Sequence, residues 1–276
     1  VLLTASVALA LSPMPLVLRL IGGVSTGLML VRMFMIYHDY LHQAVFRNSL
    51  LMKVFFTAFG LSILVPPSIW KRSHNYHHAH NSKLYTSSIG SFPIVTVDRY
   101  FKLSGAQRLN YLFIRHPLTI LFGYVFAFFW GMTVLSLARN PARHWDSAIS
   151  LVVHAALGLA VYSGFGWSGL VLGFLLPMFI SGAIGSYLFY AQHNFPGATY
   201  ADKESWTFAN AAMNSSSFMR GGAVMRWLTA NIGYHQIHHA NARIPFYRLP
   251  EVYAAMPEFQ AAKTTSLWPR DIRACL

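Results

Sequence analysis

Cysteine is nearly absent from this chain: Cys275 is the only one in 276 residues, which excludes an internal disulfide and any cysteine-rich metal cluster. Acidic residues are scarce as well, with eight Asp and Glu against 21 Lys and Arg and a formal charge of +13. Such a balance can signal nucleic acid binding, but the cations flank apolar segments and form no nucleic-acid motif, so retention at a membrane surface accounts for them more simply. Charge of either sign totals only 11% of the chain while apolar residues make up 55%, and they come in runs too long for an ordinary soluble domain. There is no internal repeat, no low-complexity tail and no linker between soluble domains, so residues 1–276 read as one all-α integral membrane domain.

Residues 15–37 and 167–190 each extend about 34–36 Å as helices, enough to cross a hydrocarbon core of roughly 30 Å. Shorter apolar stretches, 1–11 and 147–163, precede them, with Ser12-Pro-Met-Pro15 and Ser163-Gly-Phe-Gly166 as turns, so the pattern predicts about four transmembrane helices in two hairpins. The chain opens at Val1 inside an apolar run and is expected to be clipped there. Ser147 to Ala201 holds no Asp, Glu, Lys or Arg; Lys and Arg gather in 47–115, 139–143 and 203–273, which the positive-inside rule assigns to the cytoplasm. Two further apolar stretches complicate that count. Residues 50–67, interrupted by Lys53, Gly60 and two prolines, read as re-entrant or interfacial, and 117–138, followed by Arg139 and Arg143, as an in-plane or re-entrant helix.

Histidine is plentiful where acid is not. Ten of the 13 histidines fall in or near three clusters, each just beyond an apolar stretch: His38/His42, His74/His77/His78 with His80, and His235/His238/His239, with His193 apart. On a helix, residues at i, i+3 and i+4 are neighbours on one face, which is metal-ligand spacing, and each cluster is expected to aim its rings at one point. Neutral imidazole suits iron, copper, zinc or nickel. Nine or ten histidines exceed the shell of one ion and suit two ions with open positions. No Glu-x-x-His of the soluble di-iron bundles occurs, and no His-Glu-x-x-His of zinc peptidases; Asp39 follows His38, so hydrolysis is disfavoured and Asp39 is a candidate to orient a liganding ring.

An HxxxH box followed by two HxxHH boxes, in order and at these membrane intervals, resembles the membrane fatty acid desaturases. The stretches Asn231-Ile-Gly-Tyr-His-Gln-Ile-His-His239, Arg243-Ile-Pro-Phe-Tyr-Arg-Leu-Pro-Glu251 and Leu188-Phe-Tyr-Ala-Gln-His193 resemble the acyl-lipid branch, and the likeness covers roughly 15–255. The resemblance implies two iron ions held by His38, His42, His74, His77, His78, His193, His235, His238 and His239. It further implies O2 as co-substrate, an acyl chain on a lipid or carrier as substrate, and electrons from a separate ferredoxin or cytochrome b5, since no haem-binding His-Pro-Gly-Gly segment occurs in these residues. A bacterial inner membrane with the histidines on its cytoplasmic side is the expected location. A related di-iron hydroxylase or oxygenase would use the same ligands, and a non-redox metal-handling protein is the alternative from another class. The run Ala79-His-Asn-Ser-Lys-Leu-Tyr-Thr-Ser-Ser88 departs from relatives with more acid there.

Several residues carry weaker expectations. His80 and Asn231 are more readily interfacial or helix-terminal than liganding, His116 and His144 interfacial, and His154 a polar contact between helices. Tyr187, Phe189 and Tyr190 read as belt or core, with tunnel lining as the alternative. Arg72, Arg99, Lys102 and Arg108 are candidates to meet an acidic redox partner or a head group.

Overall fold

The computed structural model describes residues 1–85 and 91–273; Cys275 and the Thr86-Ser-Ser88 end of the departing stretch lie outside them. The protein is mostly helical, and the chain divides into two interleaved compact units. The first comprises Val1–Leu41, Phe46–Trp70 and Leu121–Ser186; the second comprises His42–Val45, Lys71–Ile120 and Tyr187–Leu276.

In the first unit the chain folds back twice. The helix Leu2–Leu11 ends before the Ser12–Pro15 turn and packs on the start of Leu16–Leu41, where Arg19 Nε donates to the Ala10 carbonyl at 3.1 Å. The second reversal is at Gly166, with φ 65° and ψ −167°, a region that an L side chain essentially never occupies. Beyond it the His154 and Phe174 rings lie 4.8 Å apart, whereas a straight helix would hold residues so separated in sequence about 30 Å apart. The apolar run Trp145–Ala191 is therefore two arms rather than one rod. Leu16–Leu41 and Trp145–Ala191 are long and apolar enough to cross a membrane.

Small residues bring these helices together. A Cβ on Gly22 would strike the Ala10 backbone, one on Gly23 the Leu172 carbonyl, and one on Gly27 the Ile180 side chain. The close approach seals a cluster of Leu30, Phe174 and Met178. Beside it, Leu30, Phe34, Phe128, Met178, Gly182 and Gly185 line an apolar cavity.

Residues 50–67, read as re-entrant or interfacial, contain a sharp bend: the helices Leu50–Ser62 and Pro67–His80 meet at 90°. Ending a helix in apolar surroundings strands its last carbonyls and those of the link that follows, and four side chains from elsewhere in the first unit satisfy two of each. Ser150 donates to Leu61 O at 2.7 Å, His154 Nδ1 to Ser62 O at 2.7 Å, Thr133 to Leu64 O at 3.1 Å and Tyr37 to Val65 O at 3.0 Å. His154 also accepts the Tyr124 hydroxyl at 2.6 Å, which makes it the inter-helix contact expected of it. The stretch 117–138 is built from Pro117–Leu121, a π-helical widening over Tyr124–Val134 and Leu135–Arg139; the continuous part, Tyr124–Arg139, is shorter than a span.

The second unit is made of short pieces. It contains the helices Val97–Lys102, Gly105–Arg115, Phe208–Asn214, Ala223–Leu228, His235–Ala240 and Leu249–Ala255, and a parallel pair, Phe218–Arg220 with Thr264–Ser266. Buried Tyr234, Ile237 and Leu249 anchor His235–Ala240 from beneath and leave its histidines on the other side.

Candidate metal centre

Each histidine cluster sits where a helix begins or ends. His38 closes the last turn of Leu16–Leu41, buried, with Nδ1 3.4 Å from the Asp39 carboxylate, and His42 follows one turn later. The second cluster lies on Pro67–His80, whose first turn is tied down by Asp146: its carboxylate accepts the Ser68 N–H at 2.9 Å and the Ser68 hydroxyl at 2.5 Å. A carboxylate there complements the positive end of the helix dipole. Because Ser68 gives its one proton to Asp146, its oxygen accepts from His144 Nδ1 at 2.9 Å. His144 is thus buried, at 3% exposure, and not interfacial as its sequence context suggests. The third cluster opens His235–Ala240 directly after Asn231, whose φ of 57° turns the chain and whose amide donates to Phe246 O at 3.0 Å.

Within the second unit the rings form two sets. One nitrogen from each of His42, His74, His78 and His238 lies within 4.8 Å of the others, and the same holds for His77, His193, His235 and His239. Neither HxxHH box aims at a single point. A helix turns about 100° per residue, so i and i+4 lie about 40° apart while i+3 falls about 60° to the other side. Accordingly His74 and His78 go to the first set and His77 to the second, while His235 and His239 go to the second and His238 to the first. The sets abut, the His78 and His239 rings stacking at 4.3 Å.

Nε2 atoms crowd each set: His78 to His74 3.1 Å, His238 to His78 3.1 Å, His77 to His193 3.0 Å, His193 to His235 2.9 Å and His239 to His235 3.2 Å. His193 makes the chemistry of this crowding explicit. Its Nδ1–H donates to the Ser215 carbonyl at 2.9 Å, so in the neutral ring Nε2 carries a lone pair aimed at the Nε2 atoms of both His77 and His235. Burial pulls the His193 pKa down to about 4 against the opposing bond to Ser215, and burial with four neighbouring imidazoles holds His239 well below its ordinary range. Inward-facing imidazole nitrogens, with no carboxylate in either set, are a donor set suited to a borderline transition metal.

Around the rings lies a buried polar frame that the sequence alone did not reveal. Ser215, Ser216 and Ser217 are all buried. Ser215 fixes His193, Ser216 Oγ accepts from Asn81 just past the second box at 3.0 Å, and the Ser217 N–H donates to Gln192 O at 3.1 Å. Gln192 in turn donates to Ile232 O at 2.9 Å, ahead of the third box. Arg115 holds the same turn, donating to Asn194 Oδ1 at 3.0 Å and the Tyr190 hydroxyl at 2.7 Å. Of the weaker candidates, His80 turns away, its Nδ1 on Tyr76 O at 3.0 Å and its ring stacked on Tyr76. His116 caps a helix and accepts the Leu118 N–H. Phe189 packs 5.7 Å from the His74 ring, and Tyr187 donates to Leu267 O.

Comparison with known proteins identifies the family of the chain. A family model described as fatty acid desaturase matches residues 15–270. A "Fatty acid desaturase" of Bacillus subtilis is 31% identical over 80% of this chain and 63% of its own length. An "sn-1 acyl-lipid omega-3 desaturase (ferredoxin)" of Nostoc sp. is 25% identical over 91% of this chain and 71% of its own, and a chloroplastic "Omega-6 fatty acid desaturase" of Arabidopsis thaliana 23% identical over 84% and 52%. The chain thus spans from about half to seven tenths of the length of these relatives.

Proposed function

The chain belongs to the fatty acid desaturase family, and from that premise we propose that it is an O2-dependent desaturase that introduces a double bond into an acyl chain carried on a lipid or carrier. The observation that carries this reading is the division of eight buried or half-buried histidines into two abutting sets of four. In this reading His42, His74, His78 and His238 hold one iron, joined by His38 one helical turn ahead of His42; His77, His193, His235 and His239 hold the other. Bound there, the two irons with O2 and two delivered electrons would supply the oxidising power needed to take two hydrogens from adjacent methylenes, O2 leaving as water.

The protein's own part is positional. Ser215 fixes the His193 tautomer, Asp39 sits beside His38, and burial keeps the His193 and His239 rings neutral so that protons do not compete for their lone pairs. We further propose about four crossings in two hairpins, turning at Ser12–Pro15 and Gly166, within one functional domain in a bacterial inner membrane. The histidines then face the cytoplasm, where a ferredoxin or cytochrome b5 delivers electrons; the name of the Nostoc relative gives ferredoxin for that protein.

Elemental analysis of the purified protein tests the ligand assignment. About two irons per chain are expected, a marked loss in either His77→Ala or His78→Ala, and no loss in His80→Ala, whose ring is engaged with Tyr76. Iron unchanged in the first two variants would overturn the assignment.

A further inference from the structure

The helix Gly105–Arg115 in the second unit is amphipathic in the inverted sense. Its capping box, Ser104 with Gln107, starts it cleanly, and its two arginines are spent on the protein itself. Arg108 donates to Leu103 O at 3.0 Å and Phe101 O at 2.9 Å, and buried Arg115 donates to Pro93 O, Asn194 and Tyr190. Its exposed side carries an apolar stripe, with Leu109 70%, Leu112 51% and Phe113 46% exposed at i, i+3 and i+4, and exposed Asn110 and Gln107 lie outside that stripe. The short helix before it repeats the pattern, with Val97 71% and Phe101 66% exposed at i and i+4.

A helix that buries arginine and shows leucine is arranged for an apolar medium rather than for water. Two exposed cations, Arg99 and Lys102, flank this surface, and Asp98 is the only acid between residues 91 and 120. An aliphatic face with a cationic fringe matches the boundary between acyl chains and anionic head groups. We propose that Val97–Arg115 lies in the plane of an anionic membrane surface, with Val97, Phe101, Leu109 and Leu112 in the acyl layer and Arg99 and Lys102 at the phosphates. This element therefore carries the second unit on the bilayer independently of the long apolar helices. The inference rests on the membrane reading above but not on the chemistry, so its failure and the failure of the desaturase reading are separable: one is read by depth in lipid, the other by product.

The test uses the whole protein with Cys275→Ser, and with single nitroxide labels at Leu109→Cys, Leu112→Cys and, on the opposite side of the helix, Gln107→Cys. It is reconstituted in vesicles of phosphatidylcholine with and without phosphatidylglycerol. Paramagnetic relaxation by oxygen, which concentrates in lipid, is compared with that by a water-soluble nickel chelate. Labels at 109 and 112 are expected to be oxygen-accessible and nickel-protected, the label at 107 the reverse, and the pair Arg99→Glu with Lys102→Glu is expected to make 109 shallower only where phosphatidylglycerol is present. Nickel access at 109 and 112 equal to that at 107 would overturn the proposal in favour of a solvated face. Protection from both reagents would overturn it in favour of a protein partner or a second copy.

Discussion

At the scale of single residues, His193, proposed above as a metal ligand, is already oriented and kept neutral by the fold. Its Nδ1–H is committed to the Ser215 carbonyl, and burial keeps the ring neutral down to about pH 4, whereas in an unfolded chain it takes up a proton near 6.5. Between those values the unfolded state binds more protons than the folded one, so stability rises with pH across that window. For the metal-free protein in detergent, the expected result is an unfolding midpoint that is highest above about pH 6.5, falls as pH drops toward about 4, and loses nothing more from this ring below that; His239, shifted in the same direction, adds to the trend. A midpoint flat or rising on acidification would contradict the neutral-ring description. The boxes were legible in the sequence because ligand spacing is local: i, i+3 and i+4 are neighbours on any helix. The frame behind them was not, since Ser215, Ser216 and Gln192 find their partners far along the chain and serines outside a cap carry no local signal. His193 itself was reached only through family resemblance, for a lone histidine after an apolar run has no spacing to betray it.

At the scale of elements, turns and breaks follow from proline, glycine and the fate of backbone carbonyls. The Gly166 reversal was readable as Ser-Gly-Phe-Gly, and the conformation found there explains why glycine is needed. Gly166→Ala is expected to destabilise the protein by about 1–3 kcal/mol through backbone strain alone, since a Cβ there meets no neighbouring atom within 4 Å. Chemical denaturation of the two proteins in the same detergent measures the difference, and an unchanged stability would contradict a reversal at this residue. The break after Ser62 was likewise announced by two prolines. The four side chains that satisfy its carbonyls were not, because Tyr37, Thr133, Ser150 and His154 come from three other stretches of the first unit. Nor was the π-helical course of Tyr124–Val134, which leaves no mark in residue type. The glycines that let helices touch at Gly23 and Gly27 are visible in the sequence, but which helix they meet is set by tertiary packing.

At the scale of the molecule, the proposed topology puts both hairpin turns on one face of the membrane and all histidine clusters on the other. In a Cys275→Ser background, single cysteines at Met14 and Gly164 are expected to react with an impermeant maleimide in intact cells, and one at Asn241 only after the membrane is opened. Reaction at Asn241 from outside, or protection of only one of the two turns, would refute the proposed hairpins. Desaturation itself is a matter of chemistry rather than topology. It is tested most directly by gas chromatography with mass spectrometry of the fatty acids of cells that express the protein, beside cells expressing His238→Ala and supplied with iron and a reduced ferredoxin or cytochrome donor. The expected result is an unsaturated acid present with the first and absent with the second. A hydroxylated acid in its place, or no new acid at all from membrane-inserted protein that has bound its iron, would contradict the assignment as a desaturase.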